Sequence, residues 1–280
     1  MNVSANVSFK WLGVTSFLLS DGKTTIMFDP AMTRVGFADY LPWRRIAPNA
    51  TEVDYWMKRC GIKSVDATFV NHAHTDHVID APYIVSKYGG KLYGSTSTLN
   101  VGKGYGLKSE KLQRVYFNQE IQIGAFKIKP FSTPHPPHFL NIQLLDGHIE
   151  SPIKFPAKAW EFNVGETYSF LITHPKGRIL FHSVAEIFQT DPMKGQQVDS
   201  LLLTIANRHS SADLIHGRLN PSGAKKVIPL HFDNFFFDMR RDNKIDYLWG
   251  VDPEEFTASV SKLSKAELKW PKYCEDISLL

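Results

Sequence analysis

Asn71-His72-Ala73-His74-Thr75-Asp76-His77 places three imidazoles and a carboxylate within six residues, directly after the apolar run Ala67-Thr68-Phe69-Val70. Neutral imidazole and ionised carboxylate are metal ligands, and the pair suits zinc, iron or manganese. In extended chain, residues two apart point the same way, so His72 and His74 converge on one metal. Asp76 and His77 follow a turn at Thr75 and point elsewhere, toward a second. A polar surface loop is the competing account, but such ligand density without a cation would be an odd accident.

Two further histidines lie where strands end. His135 closes a run over 126–133, and His231 closes 227–230. His138, in Pro134-His135-Pro136-Pro137-His138, competes with His135 as a ligand; His135 is preferred because it directly follows the strand, leaving His138 to face substrate. His148, His174, His209 and His216 read as surface or hydrogen-bonded residues. Phe235-Phe236-Phe237 could line an acyl pocket, although such a run is more often core. Trp43 belongs to a scatter of aromatics that could rim a substrate site or pack loops on the body. Arg44-Arg45 could grip an anion, but a solvated pair is commoner.

The combination of His72-x-His74-x-Asp76-His77, Asp29 after an early strand, His135, and Pro229-Leu230-His231-Phe232-Asp233 resembles the metallo-β-lactamase superfamily over residues 7–235. The resemblance implies an α+β fold, a four-layer αββα sandwich. It implies a first metal on His72, His74 and His135 and a second on Asp76, His77 and His231, with Asp29 fixing the tautomer of a ligand histidine. The expected cofactors are two divalent metal ions, Zn2+ first, with Mn2+ or Fe2+ as alternatives. One departure matters: many members carry a bridging aspartate where this chain reads Phe181-His182-Ser183-Val184. Ser183 could orient the water there, or His182 could approach the site; a one-metal enzyme stays open. The segment His231-Phe232-Asp233-Asn234-Phe235 is most similar to the branch that contains ascorbate-6-phosphate lactonase.

The elements that must position these residues are mostly strands. Segments 7–12, 16–19, 24–28, 66–70, 91–94, 111–117, 119–123, 125–131, 167–173, 178–181, 198–205 and 227–230 have strand character. Helices are expected over 52–60 and 81–88, in a short helix capped by Asn220 with Pro221 at its first position, and through most of 253–268. Residues 136–165, rich in proline and without periodicity, read as an insertion or lid. Residues 1–280 are expected to form a single domain.

With 280 residues, 43% hydrophobic and 21% charged, the chain can bury a sizeable core. Its formal charge of +4 is scattered, with no basic run that would track nucleic acid. Cys60 and Cys274 are far apart in sequence, so neither a disulfide framework nor a cysteine-rich zinc site is suggested. No signal peptide and no apolar stretch of membrane-spanning length is evident, so a cytoplasmic location is expected. The expected function is hydrolysis of an ester, lactone or amide of a small organic or acyl substrate by metal-activated water, with Asp76 as both ligand and catalytic group. A phosphodiesterase or phospholipase-D-like hydrolase is the runner-up. An iron-dependent redox enzyme and an inactive binding protein on the same fold are the rivals. The partner is a small molecule, and a homo-oligomer stays open.

Overall fold

Apolar runs of four to seven residues, bounded by Gly, Pro and Asp, form two facing sheets. The computed structural model describes residues 6–135, 144–187 and 191–280. The first sheet is built from β1 (Ser8–Trp11), β2 (Phe17–Ser20), β3 (Thr25–Phe28), β4 (Ala67–Phe69), β5 (Lys91–Gly94) and β6 (Leu112–Arg114). The second holds β7 (Ile121–Ile123), β8 (Phe126–Ser132), β9 (Tyr168–His174), β10 (Gly177–His182), β11 (Ser200–Thr204), β12 (Lys226–Leu230) and β13 (Glu267–Leu268). β14 (Ile277–Ser278) returns to the first sheet, giving the orders β14-β1-β2-β3-β4-β5-β6 and β13-β12-β11-β10-β9-β8-β7. Each sheet is antiparallel in one half and parallel in the other. In the first, the parallel part runs from β3 to β6; in the second, from β10 to β13.

Parallel neighbours require crossovers, and the helices are those crossovers. Ala50–Arg59 leads into β4, Ala81–Tyr88 joins β4 to β5, and Thr96–Tyr105 joins β5 to β6. Pro253–Leu263 joins β12 to β13. Between the sheets, Phe17, Phe28 and Phe69 meet Phe170 and Phe181 edge-on, with centroids 5.0 to 5.9 Å apart. All five rings are fully buried, and edge-to-face pairing adds to the burial of their area. Sheet packs on sheet with helices outside, which is the four-layer αββα sandwich of the α+β class.

Three sequence expectations needed correction. The helix Thr96–Tyr105 was not anticipated, because Gly102 and Gly104 interrupt its pattern. Both glycines serve close packing: a Cβ on Gly104 would lie 1.7 Å from the Ile153 carbonyl oxygen, and one on Gly102 would meet Leu92 and Leu112. Asn220 does not cap a helix. The helical stretch begins at Ser211, where Ser210 accepts from the Asp213 amide, passes through a π turn at Ile215–Leu219 and ends at Ser222. Asn220 instead donates to the Leu263 carbonyl at 2.8 Å.

The third correction concerns the cysteines. Cys60 follows the helix Ala50–Arg59, Cys274 precedes β14, and their sulfurs are bonded across a sequence separation of 214. Sequence distance said nothing about the fold that brings them together. Beside the bond, Tyr273 stacks on Trp11 at 4.8 Å and leans on Trp56 at 5.3 Å, so the C-terminal segment is fastened across β1. Closing so long a loop restricts the unfolded chain strongly, so Cys274→Ser is expected to lower stability by about 2 to 5 kcal/mol. Urea unfolding of the variant against the oxidised protein measures this; coincident curves would mean that the bond is absent in solution.

Candidate metal centre

Strands of both sheets end at one edge, and each delivers chemistry there. β3 ends in Asp29, β4 in the 71–77 ligand loop, β8 leads to His135 and β12 to His231. The ligand loop closes on itself as a short helix, Thr75–Val78, which carries Asp76 and His77.

The structure brings six expected ligands into two groups. His72, His74 and His135 form one, and Asp76, His77 and His231 the other; within each, donor atoms lie within 4.8 Å of one another. In the first group ring centroids stand 4.7 to 4.8 Å apart, and His72 Nε2 is 3.0 Å from His74 Nδ1. In the second, Asp76 Oδ2 is 3.3 Å from His77 Nε2 and 3.4 Å from His231 Nε2. The two groups adjoin, with His72 and His77 centroids 4.0 Å apart.

This donor set fits divalent cations. Burial, then the neighbouring His77, His74 and His135, hold the His72 imidazole well below its ordinary value, so it presents a neutral lone pair. Burial alone would raise the Asp76 carboxyl, but His77 and His231 beside it hold it well below the usual carboxylate range. Burial opposes a charge on His77, yet the Asp76 and Asp29 carboxylates outweigh it and raise the group to about 10. The field of these carboxylates favours positive charge at this point, and a metal cation would answer it.

Outer contacts aim the rings. Asp29 accepts from the Asn71 backbone amide and side chain, both at 2.7 Å, and from Thr15 Oγ1 at 2.8 Å. Its Oδ2 also lies 3.3 Å from His77 Nδ1, turning Nε2 toward Asp76. Asn71 Oδ1 meets His72 Nδ1 closely. His74 Nε2 lies 3.3 Å from the Leu145 carbonyl, so residues of the proline-rich stretch help orient a ligand. That stretch grips the loop further: the Ala73 amide donates to Val164 O, and the Val164 amide to Leu145 O. Thr15, the Asn71 side chain and the Leu145 carbonyl were not anticipated; their residue types carry no signal outside the fold.

Three non-glycine residues around the site adopt left-handed backbone: Val14 (φ 48), Asp29 (φ 43) and His231 (φ 56). Such conformations are costly, most of all for β-branched Val14, and persist where surroundings impose them. Here the His231 amide donates to Val14 O at 2.9 Å, and the Val14 amide to Asp233 Oδ1 at 2.7 Å. Asp233 is buried and pairs with Arg34 at 2.6 Å. Among the described residues two other Arg34 nitrogens are buried without a hydrogen-bond partner, so this guanidinium leans on Asp233.

Other expected site residues lie elsewhere. His182 is fully buried, with Nε2 3.8 Å from Asp191 Oδ2 beside Arg218, and joins neither donor group. Ser183 Oγ is 3.1 Å from Ser169 Oγ, which is 3.3 Å from Thr133 Oγ1; this hydroxyl line leads back toward the His135 segment. Among the described residues, Asp76 is the one carboxylate in the two groups. Trp43 is mostly exposed, and Arg44 and Arg45 pair with Asp39 and Glu161. His138 lies outside the described residues. Tyr40, unanticipated, places its hydroxyl 3.3 Å from Thr75 Oγ1 in the ligand loop. Burial raises its phenol, which stays protonated.

The fold and donor set are those of a metal-dependent hydrolase of the metallo-β-lactamase kind. The family model for the metallo-beta-lactamase superfamily matches residues 9–157. The chain belongs to this superfamily. Igni18, a metallo hydrolase from the archaeon Ignicoccus hospitalis, shares 16% identity at a TM-score of 0.59, with 98% of each chain covered. The isothiocyanate hydrolase from Delia radicum gut bacteria shares 12% at 0.59, covering 96% of this chain and 98% of its own. CmlA, a diiron β-hydroxylase from Streptomyces venezuelae, shares 14% at 0.56, covering 98% of this chain and 54% of its own. At such identities these likenesses speak for the fold alone. No curated protein matches the sequence.

Asp233→Ala strands the Arg34 charge and frees the Val14 amide. We expect a loss of about 3 to 5 kcal/mol, the usual result of breaking a buried pair from one side. Urea denaturation reads it, and a loss below about 1 kcal/mol would remove the pair as the support of the His231 loop.

Proposed function

We propose that this chain hydrolyses an ester, lactone or amide of a small organic or acyl substrate at a two-metal centre. The observation that carries the reading is the pair of adjoining donor groups assembled from β4, β8 and β12. His72, His74 and His135 would hold one ion, and Asp76, His77 and His231 the other. When bound, such ions lower the pKa of water toward neutrality and polarise the electrophile. The site residues supply the rest. Asp76, 3.3 Å from His77 Nε2 and 3.4 Å from His231 Nε2, would bind the second ion and orient the attacking water. Asp29, through His77, fixes which nitrogen faces the site. Zinc suits the imidazole and carboxylate set.

A second reading is iron-based oxidation. The absence of thiolate from the two donor groups suits iron as well as zinc, and CmlA carries a diiron site on a similar fold. Among the described residues no helix is long and apolar enough to cross a membrane. For compartment, the Cys60–Cys274 bond favours oxidising surroundings over the cytoplasm expected from sequence.

The test is metal content by elemental analysis together with a panel of esters, lactones, amides and phosphodiesters, using His74→Ala as the blank. The reading expects two ions per chain, hydrolysis within the first three classes, and a loss of more than about a hundredfold in the variant with its circular dichroism unchanged. Hydrolysis as fast in a rigorously metal-free preparation would defeat it. Iron at two per chain with oxygen consumption would favour the second reading.

A further inference from the structure

The run Phe235-Phe236-Phe237 is not core. Phe235 and Phe236 are half-buried, and Phe237 is 52% exposed. The rings form a continuous surface that starts at a ligand of the candidate centre. Phe235 stands edge-on to His231 with centroids 5.3 Å apart, and Phe236 lies 4.4 Å from Phe235. Phe37, from the loop after β3, stacks on Phe236 at 4.0 Å. Trp249 completes the face, 5.8 Å from Phe37, 5.9 Å from Phe236 and 6.2 Å from Phe237. Phe37 is 58% exposed and Trp249 61%. Stacked rings held open to water, from two distant parts of the chain, are costly unless something apolar covers them.

We propose that this shelf binds the apolar part, alkyl or aryl, of the substrate whose reactive group sits at the metal centre. The inference rests on the two-metal reading above. Its direct contact with His231 is the first argument: an apolar group on Phe235 and Phe236 is one ring away from a metal ligand. Size is the second. A buried aromatic side chain accounts for about 150 to 250 Å2, so three half-exposed rings offer on the order of 300 Å2. That matches a short chain or ring and falls below the ~800 Å2 per partner of a stable protein interface. Charge is the third. Arg240 pairs with Asp242 and Asp246, and Arg241 with Glu52, so the arginines that follow Phe237 in the sequence have acidic partners within the chain and do not form a free basic rim for an anionic surface. The substrate is thus amphiphilic, with a polar reactive head at the metals and an apolar tail toward Trp249.

The experiment uses n-alkyl hydroxamates from acetyl to octanoyl, whose head chelates metal while the tail varies, with affinities measured by calorimetry on the metal-loaded protein. The expected result is tightening by about two- to fourfold per methylene, the value for partial to full burial. Trp249→Ala and Phe37→Ala, both at the surface, should flatten that dependence while leaving acetohydroxamate within twofold of the unsubstituted protein. Parallel slopes in protein and variants would overturn the shelf, as would no chain-length dependence at all. Failure of every hydroxamate to bind, acetyl included, would instead overturn the metal reading and this inference with it. Sedimentation velocity runs alongside: an unchanged monomer supports the proposal, and a dimer that dissociates in Trp249→Ala assigns the face to a second copy of the chain and overturns it.

Discussion

The rest of the architecture answers to one electrostatic constraint: five imidazoles and a carboxylate, mostly withdrawn from water, turn their lone pairs toward one another. Uncompensated, these donors repel, and burial removes the solvent that would screen them. Part of the answer is local: the carboxylates of Asp76 and Asp29 flank His77 at 3.3 Å each and supply opposing charge. A pair of sheets is a suitable frame, because strand ends at one edge can bring residues 72, 135 and 231 together without a long flexible loop. The buried phenylalanine layer between the sheets keeps that edge in register, and in a close-packed interior small displacements are resisted.

What the sequence disclosed follows from the range of the interactions involved. The 71–77 motif was legible because its ligands are local and their types are rare in such density. The strand runs and the helix Ala81–Tyr88 were legible because periodicity is local too. The pairing of Cys60 with Cys274 was not, since it depends on β14 returning to β1. The helix Thr96–Tyr105 was hidden for a related reason. Its glycines look like breakers until Ile153, from a stretch without periodicity, is seen pressed against one of them.

Among the candidate residues the same rule bears on which of them the structure brings together. His135 and His231 could be placed because each directly follows a strand. His182 is the last residue of its strand, but its ring lies 3.8 Å from Asp191, which also pairs with Arg218, and those partners are not signalled by spacing. Asp233 adjoins the legible His231, yet its work is done on Val14 and Arg34, which no spacing rule connects to it.

The loop after β12 shows how one short segment serves two demands. Its first part must be rigid, since a histidine in a left-handed conformation keeps its aim only if the backbone around it is fixed. Phe232, Asp233 and Asn234 are accordingly buried, and Asp233 ties the turn to Val14. Its second part faces outward, with exposure rising from Phe235 to Phe237. Because the buried residues carry the backbone constraint, side chains on the exposed part can change without loosening the His231 turn. Backbone constraint and surface character are then separable on adjacent residues: Asp233 secures the His231 turn from within, while the rings beyond Phe235 lie outside that constraint.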